Sequence, residues 1–295
     1  MKRFLAGHPI LTFLVITFAL SSVFYFLIIH TGKLGSGFGL YHAGLMWCPG
    51  ISALLTCRIL NRKISTLGWS WGKTKYQLKA WLVPALYGFI AYLIIWAFGW
   101  GGFYDKDFVR QAAGSFGWDP LPDWLVIPLF VIVRGIFGMV GVAAKALGEE
   151  IGWRGFLVPE MSRHMNFTQT SVLIGLIWAV WHFPVLLFAD YNSGTPAWYA
   201  LSCFTVMVIS VSLIFSWFRV KSNSLWTAVI LHASHNLFIQ SIFSPLTRDT
   251  GITKYFGGEF GLIVPLVALC FAIYFWSRRA ELHAPPLKPL AAGEG

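Results

Sequence analysis

The chain has 295 residues, of which 57% are hydrophobic and only 12% are charged. Soluble domains carry about 25% charged residues, so this composition, with a mean hydropathy of +0.66, excludes an ordinary water-soluble domain. It indicates an all-α protein, a polytopic bundle of membrane helices. The net charge of +10 would suggest nucleic acid binding in a soluble protein, but a membrane protein gathers such charge on its cytoplasmic side, and no nucleic acid partner is predicted.

Because a helix needs about 20 apolar residues to cross a bilayer, the apolar stretches predict about eight spans. They are 10–30, 38–59, 81–100, 125–157, 169–188, 198–218, 225–244 and 259–277. The fourth stretch is predicted as one long helix with charged residues inside it. Residues 62–80 are basic and rich in tryptophan, which favours a position at the membrane surface.

These elements predict one domain, a transmembrane bundle over residues 1–282. The first apolar run is long enough to be an uncleaved span instead of a signal peptide. Residues 283–295 contain three prolines and end in small residues, which predicts a disordered cytoplasmic tail.

The lysine and arginine residues of the predicted loops predict the orientation of the chain. Most lie on the side that carries both termini. The opposite side has Lys33, Lys106, Arg110, Arg248 and Lys254. By the positive-inside rule both termini are in the cytoplasm, which in a prokaryote predicts a multi-pass protein of the plasma (inner) membrane.

Ionisable side chains are rare inside membranes and tend to be functional. In the fourth predicted span, Glu150 and Arg154 lie four residues apart in the favourable acid-first order. Glu149 is rotated away from Arg154, and an unpaired carboxylate at this depth suits a general base. Lys145, four residues earlier, could instead neutralise Glu149. In the seventh span, His235 lies only about 60° around the helix from His232, so spacing alone does not separate their roles.

Three short motifs on successive predicted helices carry a resemblance to a known family. Glu149-Glu150-Ile-Gly-Trp-Arg154 matches EExxxR, and His232-Ala-Ser-His-Asn236 matches HxxxN. Trp178-Ala-Val-Trp-His182 is similar to FxxxH, with tryptophan in place of phenylalanine. In this order, over about residues 125–245, they resemble the CPBP family of intramembrane proteases, which comprises CAAX prenyl endopeptidases and bacteriocin-processing (Abi) proteins.

The resemblance implies a role for each motif residue. Glu149 would activate a water for attack on a peptide carbonyl, and His182 would hold that water. His232 and Asn236 would stabilise the oxyanion. The supporting residues would be Glu150, Arg154 and Trp178. Glu149, His182 and His232 could instead bind Zn²⁺ with a water as fourth ligand, so metal-free and zinc-dependent chemistry both stay open.

The predicted function is therefore an intramembrane endopeptidase that cleaves a membrane-associated or lipidated peptide or protein on the cytoplasmic side of the bilayer. One alternative is a non-catalytic immunity or binding protein of the same fold. Another is a proton-coupled transporter in which the buried Glu and His residues relay protons. Transporters often show internal repeats or paired broken helices, and the sequence shows neither.

Overall fold

The computed structural model of the chain describes residues 7–282, and most of these residues are helical. The described residues confirm the predicted all-α membrane bundle. The predicted disordered tail, 283–295, lies outside them.

Ten helices form the bundle in the described part of the chain. They are α1 (Pro9–Thr31), α2 (Leu40–Ile59), α3 (Thr74–Ala97), α4 (Lys106–Phe116), α5 (Asp123–Phe137), α6 (Met139–Glu150), α7 (Phe167–Phe188), α8 (Ala197–Ser222), α9 (Leu225–His235) and α10 (Ile263–Ser277). Two π-helices, Ile151–Leu157 and Asn236–Phe243, extend α6 and α9, followed by short α-helical turns at Val158–Met161 and Ser244–Leu246. Single 3₁₀ turns lie at Gly37–Gly39, Ile64–Leu67, Thr253–Tyr255 and Arg278–Glu281. A two-residue antiparallel pair joins β1 (Gly102–Phe103) to β2 (Thr247–Arg248).

Five of the described helices are long and apolar enough to cross a membrane: α1, α3, α7, α8, and α10 with its last turn. A sixth span is counted if α5 and α6, which are bent by 44°, act as one. The predicted number of about eight is therefore not reached by length and composition alone. The segments 38–59 and 225–244 are helical as predicted, but their polar side chains lower their hydropathy.

The prediction of one long helix over 125–157 is wrong, because the chain bends between α5 and α6 at Gly138. A Cβ at Gly138 would lie 2.8 Å from Leu237 Cδ1, so the bend brings this backbone against the end of α9. Glycine also has a low helix propensity. The bend lets α6 enter the bundle at a different angle from α5.

Glycines bring the backbones of α2 and α6 into close contact. A Cβ at Gly50 would lie 2.5 Å from the Gly148 oxygen, and a Cβ at Gly152 would lie 2.5 Å from Pro49 Cβ. Small residues allow this kind of approach between membrane helices. Since Glu149 lies between Gly148 and Gly152, the contact fixes the rotation of the segment that carries it.

The bundle has two distinguishable ends. Loops 32–39, 189–196 and 249–262 meet at one end, where the Leu34 N–H donates to Asp190 Oδ1 at 2.7 Å and Lys254 Nζ donates to the Gly194 oxygen at 3.2 Å. We call it the loop end. At the opposite, terminal end α1 begins and α10 finishes, and there Lys221 Nζ lies 3.6 Å from Glu281 Oε2.

Candidate active site

A cavity of about 90 Å³ lies between α2, α6, α7, α8 and α9. The four predicted catalytic residues, Glu149, His182, His232 and Asn236, all line it. This volume accommodates a few water molecules. The structure thus brings side chains from three separate helices to one polar space.

Glu149 is 1% exposed and is held by two indoles. Its Oε2 accepts a hydrogen bond from Trp178 Nε1 at 2.6 Å and a longer one from Trp153 Nε1 at 3.4 Å. Lys145 is exposed and makes no ion pair with Glu149 in the described structure. Within residues 7–282 no donor is bonded to Glu149 Oε1, so this oxygen is available to a water in the cavity.

Glu150 joins the first motif to the third. Its Oε1 accepts from Arg154 Nη1 at 3.0 Å, as the sequence predicts, and also from His232 Nδ1 at 2.8 Å. Arg154 is fully buried, and its guanidinium lies 4.3 Å from the centre of the Trp178 ring. Glu150 therefore fixes the His232 ring and leaves Nε2 to face other groups.

His182 is oriented by the backbone of its own helix. Its Nδ1 lies 2.9 Å from the carbonyl oxygen of Trp178. A carbonyl only accepts, so Nδ1 carries the proton and Nε2 of the neutral ring is a hydrogen-bond acceptor. Asn236 is partly buried, and among the described residues its side-chain amide has no hydrogen-bond partner, which leaves it free to donate to a bound group.

A second polar group, which we call the outer cluster, lines the cavity towards the loop end: Tyr191, His235, Gln240 and Glu259. His235 Nε2 lies 2.7 Å from Glu259 Oε1, and Gln240 Nε2 donates to the same oxygen at 2.9 Å. The Tyr191 hydroxyl donates to Glu259 Oε2 at 3.1 Å. Behind the cluster, Tyr87 binds His235 Nδ1 at 2.5 Å.

Sequence reasoning missed most of the outer cluster. His235 stayed open as an alternative to His232, whereas Glu259 was placed at the edge of the last predicted span without a role. A lone acid beside an apolar stretch is a signal that could have identified Glu259. Tyr191, Gln240 and His42, which also lines the cavity, carry no comparable signal in the sequence.

Glu259 lies in a loop outside the spans, and its hydrogen bonds keep it ionised. Burial alone raises the pKa of Glu259, but the bonds from His235, Gln240 and Tyr191 outweigh burial and lower the pKa to about 2. Burial, reinforced by the Glu259 carboxylate, raises the pKa of the Tyr191 hydroxyl well above 10. Tyr191 therefore remains a hydrogen-bond donor.

The side chains do not form the zinc site that the resemblance allowed. Within residues 7–282 no three His, Cys, Asp or Glu side chains are placed so that they could share a metal ion. We derive no chemical step through a metal from this arrangement.

The segment that contains the three motifs is similar to known proteins. Residues 122–238 match the family model described as type II CAAX prenyl endopeptidase Rce1-like. Over 113 residues the chain is 29% identical to CAAX prenyl protease 2 of Methanococcus maripaludis, a match that covers 36% of this chain and 40% of the relative. The chain thus spans about two fifths of this curated relative. The family match contains all three motifs, whereas His42, Gln240 and Glu259 fall outside it.

Proposed function

We propose that this chain, whose residues 122–238 belong to the CPBP family of proteases, is an intramembrane endopeptidase that cleaves a peptide at the membrane. The family was predicted from three motifs, and the two matches confirm it. The chain is a multi-pass integral membrane protein. Both termini in the cytoplasm, and in a prokaryote the plasma membrane, are the proposed location, because basic residues are concentrated at the terminal end.

The proposed reaction begins with a water between Glu149 and His182. Glu149 Oε1 accepts one proton of this water, and His182 Nε2 accepts a hydrogen bond from the other. His182 can do so because its Nδ1 proton is held by the Trp178 carbonyl. The water oxygen then attacks the peptide carbonyl, and Glu149 passes its proton to the leaving amine.

Two groups stabilise the oxyanion that forms. Asn236 donates through its free side-chain amide. His232 donates through Nε2, which requires a protonated ring because Nδ1 is already bonded to Glu150. The Glu150 carboxylate at 2.8 Å favours this positive charge. Removal of one oxyanion donor typically lowers the rate by about 10²–10³.

The observation that carries the proposal is the convergence of Glu149, His182, His232 and Asn236 on one cavity. If the Glu149 carboxylate and the two imidazoles faced lipid, or lined separate cavities, they could not act on the same water.

The test is cleavage of a fluorogenic, membrane-anchored peptide by the purified protein in detergent. We expect cleavage by the wild type, a loss of at least about 10³ in Glu149→Gln, and a rate within about twofold of wild type in Lys145→Gln, an exposed control one turn away. The rate should persist after treatment with 1,10-phenanthroline. Absence of cleavage by the folded wild type would contradict the proposal and leave a non-catalytic binding role.

A further inference from the structure

Two of the polar side chains that line the cavity, His42 and Asn236, have no hydrogen-bond partner within residues 7–282. Every other polar lining residue is held by a protein group. Asn236 has a place in the proposed reaction as an oxyanion donor, whereas His42 has none. A neutral imidazole offers one N–H donor and one acceptor nitrogen, so His42 is a second group of the lining that is free to bind a ligand.

The packing of α2 on α6 fixes where His42 lies relative to Glu149. His42, Met46 and Gly50 follow one another at intervals of four residues along one side of α2. On this side, a Cβ at Gly50 would lie 2.5 Å from the oxygen of Gly148, the residue before Glu149. Met46 lines the cavity as well. The side of α2 that contacts the segment of Glu149 is therefore the side that carries His42.

The helix geometry also sets the distance between His42 and the reacting centre. Gly50 lies eight residues after His42, which corresponds to roughly 12 Å along the helix axis. An extended peptide advances about 3.3–3.6 Å per residue. For a peptide that runs along this side of α2, His42 is therefore level with a substrate residue about three positions from the scissile bond.

The hydrogen-bonding needs of a bound peptide give His42 a task. A peptide in the cavity displaces water, so its own N–H and C=O groups and the polar groups of the lining need new partners. A buried polar group without a partner weakens binding. The reacting carbonyl takes Asn236 and His232. An amide further along the peptide needs another partner, and His42 can either donate to its carbonyl or accept from its N–H.

We infer that His42 is a substrate-binding residue whose imidazole hydrogen-bonds a backbone amide of the peptide, about three residues from the scissile bond. This inference rests on the proposed endopeptidase function, because it takes a peptide as the occupant of the cavity. His42 contacts no reacting atom, so it contributes to peptide affinity and to the register in which the peptide is held. Because the bonded group is main-chain, the contact selects an extended backbone and accepts different side chains.

The first test measures peptide affinity and needs no cleavage. The membrane-anchored peptide of the cleavage assay, labelled with a fluorophore, is titrated with the Glu149→Gln variant in detergent, and the dissociation constant is read from fluorescence anisotropy. Adding His42→Ala should weaken binding at least about tenfold. Adding His42→Gln, whose amide both donates and accepts, should keep the affinity within about threefold.

The matched control is His30→Ala, which should change the affinity by less than about twofold. His30 is an exposed histidine of α1 that stacks on Phe26 and does not line the cavity. Melting temperatures show which variants are folded, and His42→Leu, which has no polar side-chain atom, replaces His42→Ala if the alanine variant is unfolded. Equal affinities for the His42→Ala and His30→Ala proteins, or an equal loss with His42→Ala and His42→Gln, would overturn the inference.

The second test locates the contact on the peptide. Backbone amides on either side of the scissile bond are replaced one at a time by esters, which lack the N–H and have a weaker carbonyl acceptor. At one position, about two to four residues from the scissile bond, the ester should raise the wild-type KM about tenfold and leave the KM of His42→Ala unchanged. The kcat at saturating peptide should stay within about threefold in both. An ester effect that is equal in the two proteins at every position contradicts the contact, and so does a His42→Ala variant that loses kcat at an unchanged KM.

The outcomes separate this inference from the proposed function. If the wild type does not cleave but peptide affinity depends on His42, the endopeptidase proposal fails and the contact stands. If the wild type cleaves and peptide affinity does not depend on His42, the contact fails and the endopeptidase proposal stands. A peptide that binds to neither the wild type nor Glu149→Gln contradicts both.

Discussion

Two histidines of α9 each bind a buried glutamate, one on either side of the cavity. His232 binds Glu150 at 2.8 Å within the matched segment, and His235 binds Glu259 at 2.7 Å through a loop that lies outside it. Glu150 shares its oxygen with the cation Arg154, whereas Glu259 has only neutral donors besides its histidine. The same pair of residue types is therefore expected to serve two purposes: one supports the proposed reacting centre, and the other holds the loop end together.

Substitution of the two histidines should give the largest difference in cleavage rate between the two sides of the cavity. His232→Ala should lower the rate at saturating peptide by about 10²–10³, because an oxyanion donor is lost. His235→Ala should act mainly on stability and lower the rate by less than about tenfold. Rates of both purified variants, with melting temperatures to normalise for folding, provide the measurement. If His232→Ala kept the wild-type rate and His235→Ala were inactive, the His235 side of the cavity, and not the His232 side, would support the reaction.

Glu259→Gln tests the contribution of the outer cluster to stability, through the pH dependence of the free energy of unfolding. Since the folded pKa is lowered from 4.5 to about 2, the ionised carboxylate stabilises the fold above pH 4.5, and this contribution disappears as the pH falls towards 2. Linkage gives roughly 3 kcal/mol at pH 7 and about half of that at pH 3. The difference in unfolding free energy between wild type and variant, measured in detergent at both pH values, should shrink accordingly. A difference that is equal at pH 7 and pH 3 would contradict the account.

Trp178→Phe should give the smallest effect of these variants. It tests whether the indole of the second motif orients the Glu149 carboxylate. The change restores the phenylalanine of the FxxxH pattern but removes the indole N–H that binds Glu149 at 2.6 Å. We expect a rate about tenfold lower, since one hydrogen bond to a charged group is worth about 1.5–3 kcal/mol and Trp153 partly replaces it. Trp153→Phe, which removes the longer 3.4 Å bond, is the matched control. A Trp178→Phe variant as fast as wild type would show that this indole does not orient the carboxylate.

Much of the fold could be predicted because membrane helices appear in the sequence as long apolar runs. The burial of Glu149, His182 and His232 around one cavity could also be expected, since they are polar groups inside such runs; their catalytic role stays a prediction. The bend at Gly138 was not, because it depends on the approach of Leu237 from another helix. The role of Glu259 was missed for a similar reason, as its partners are 24 and 68 residues away.

The packing around Arg219 could not be predicted from the sequence for a different reason. A positive-inside count orients the chain, but it does not say which segments pack on one another. The approach of Gly68 to the Arg219 guanidinium is a tertiary contact between distant residues.

The central claim is that side chains from separate helices act on one water, and a double-mutant cycle tests it most directly. Glu149→Asp, His182→Ala and the double variant are compared by single-turnover cleavage of the anchored peptide. If both groups act on the same water, the double variant should be no more than about threefold slower than the slower single variant. Rate losses that multiply would show that Glu149 and His182 act independently and would contradict the account.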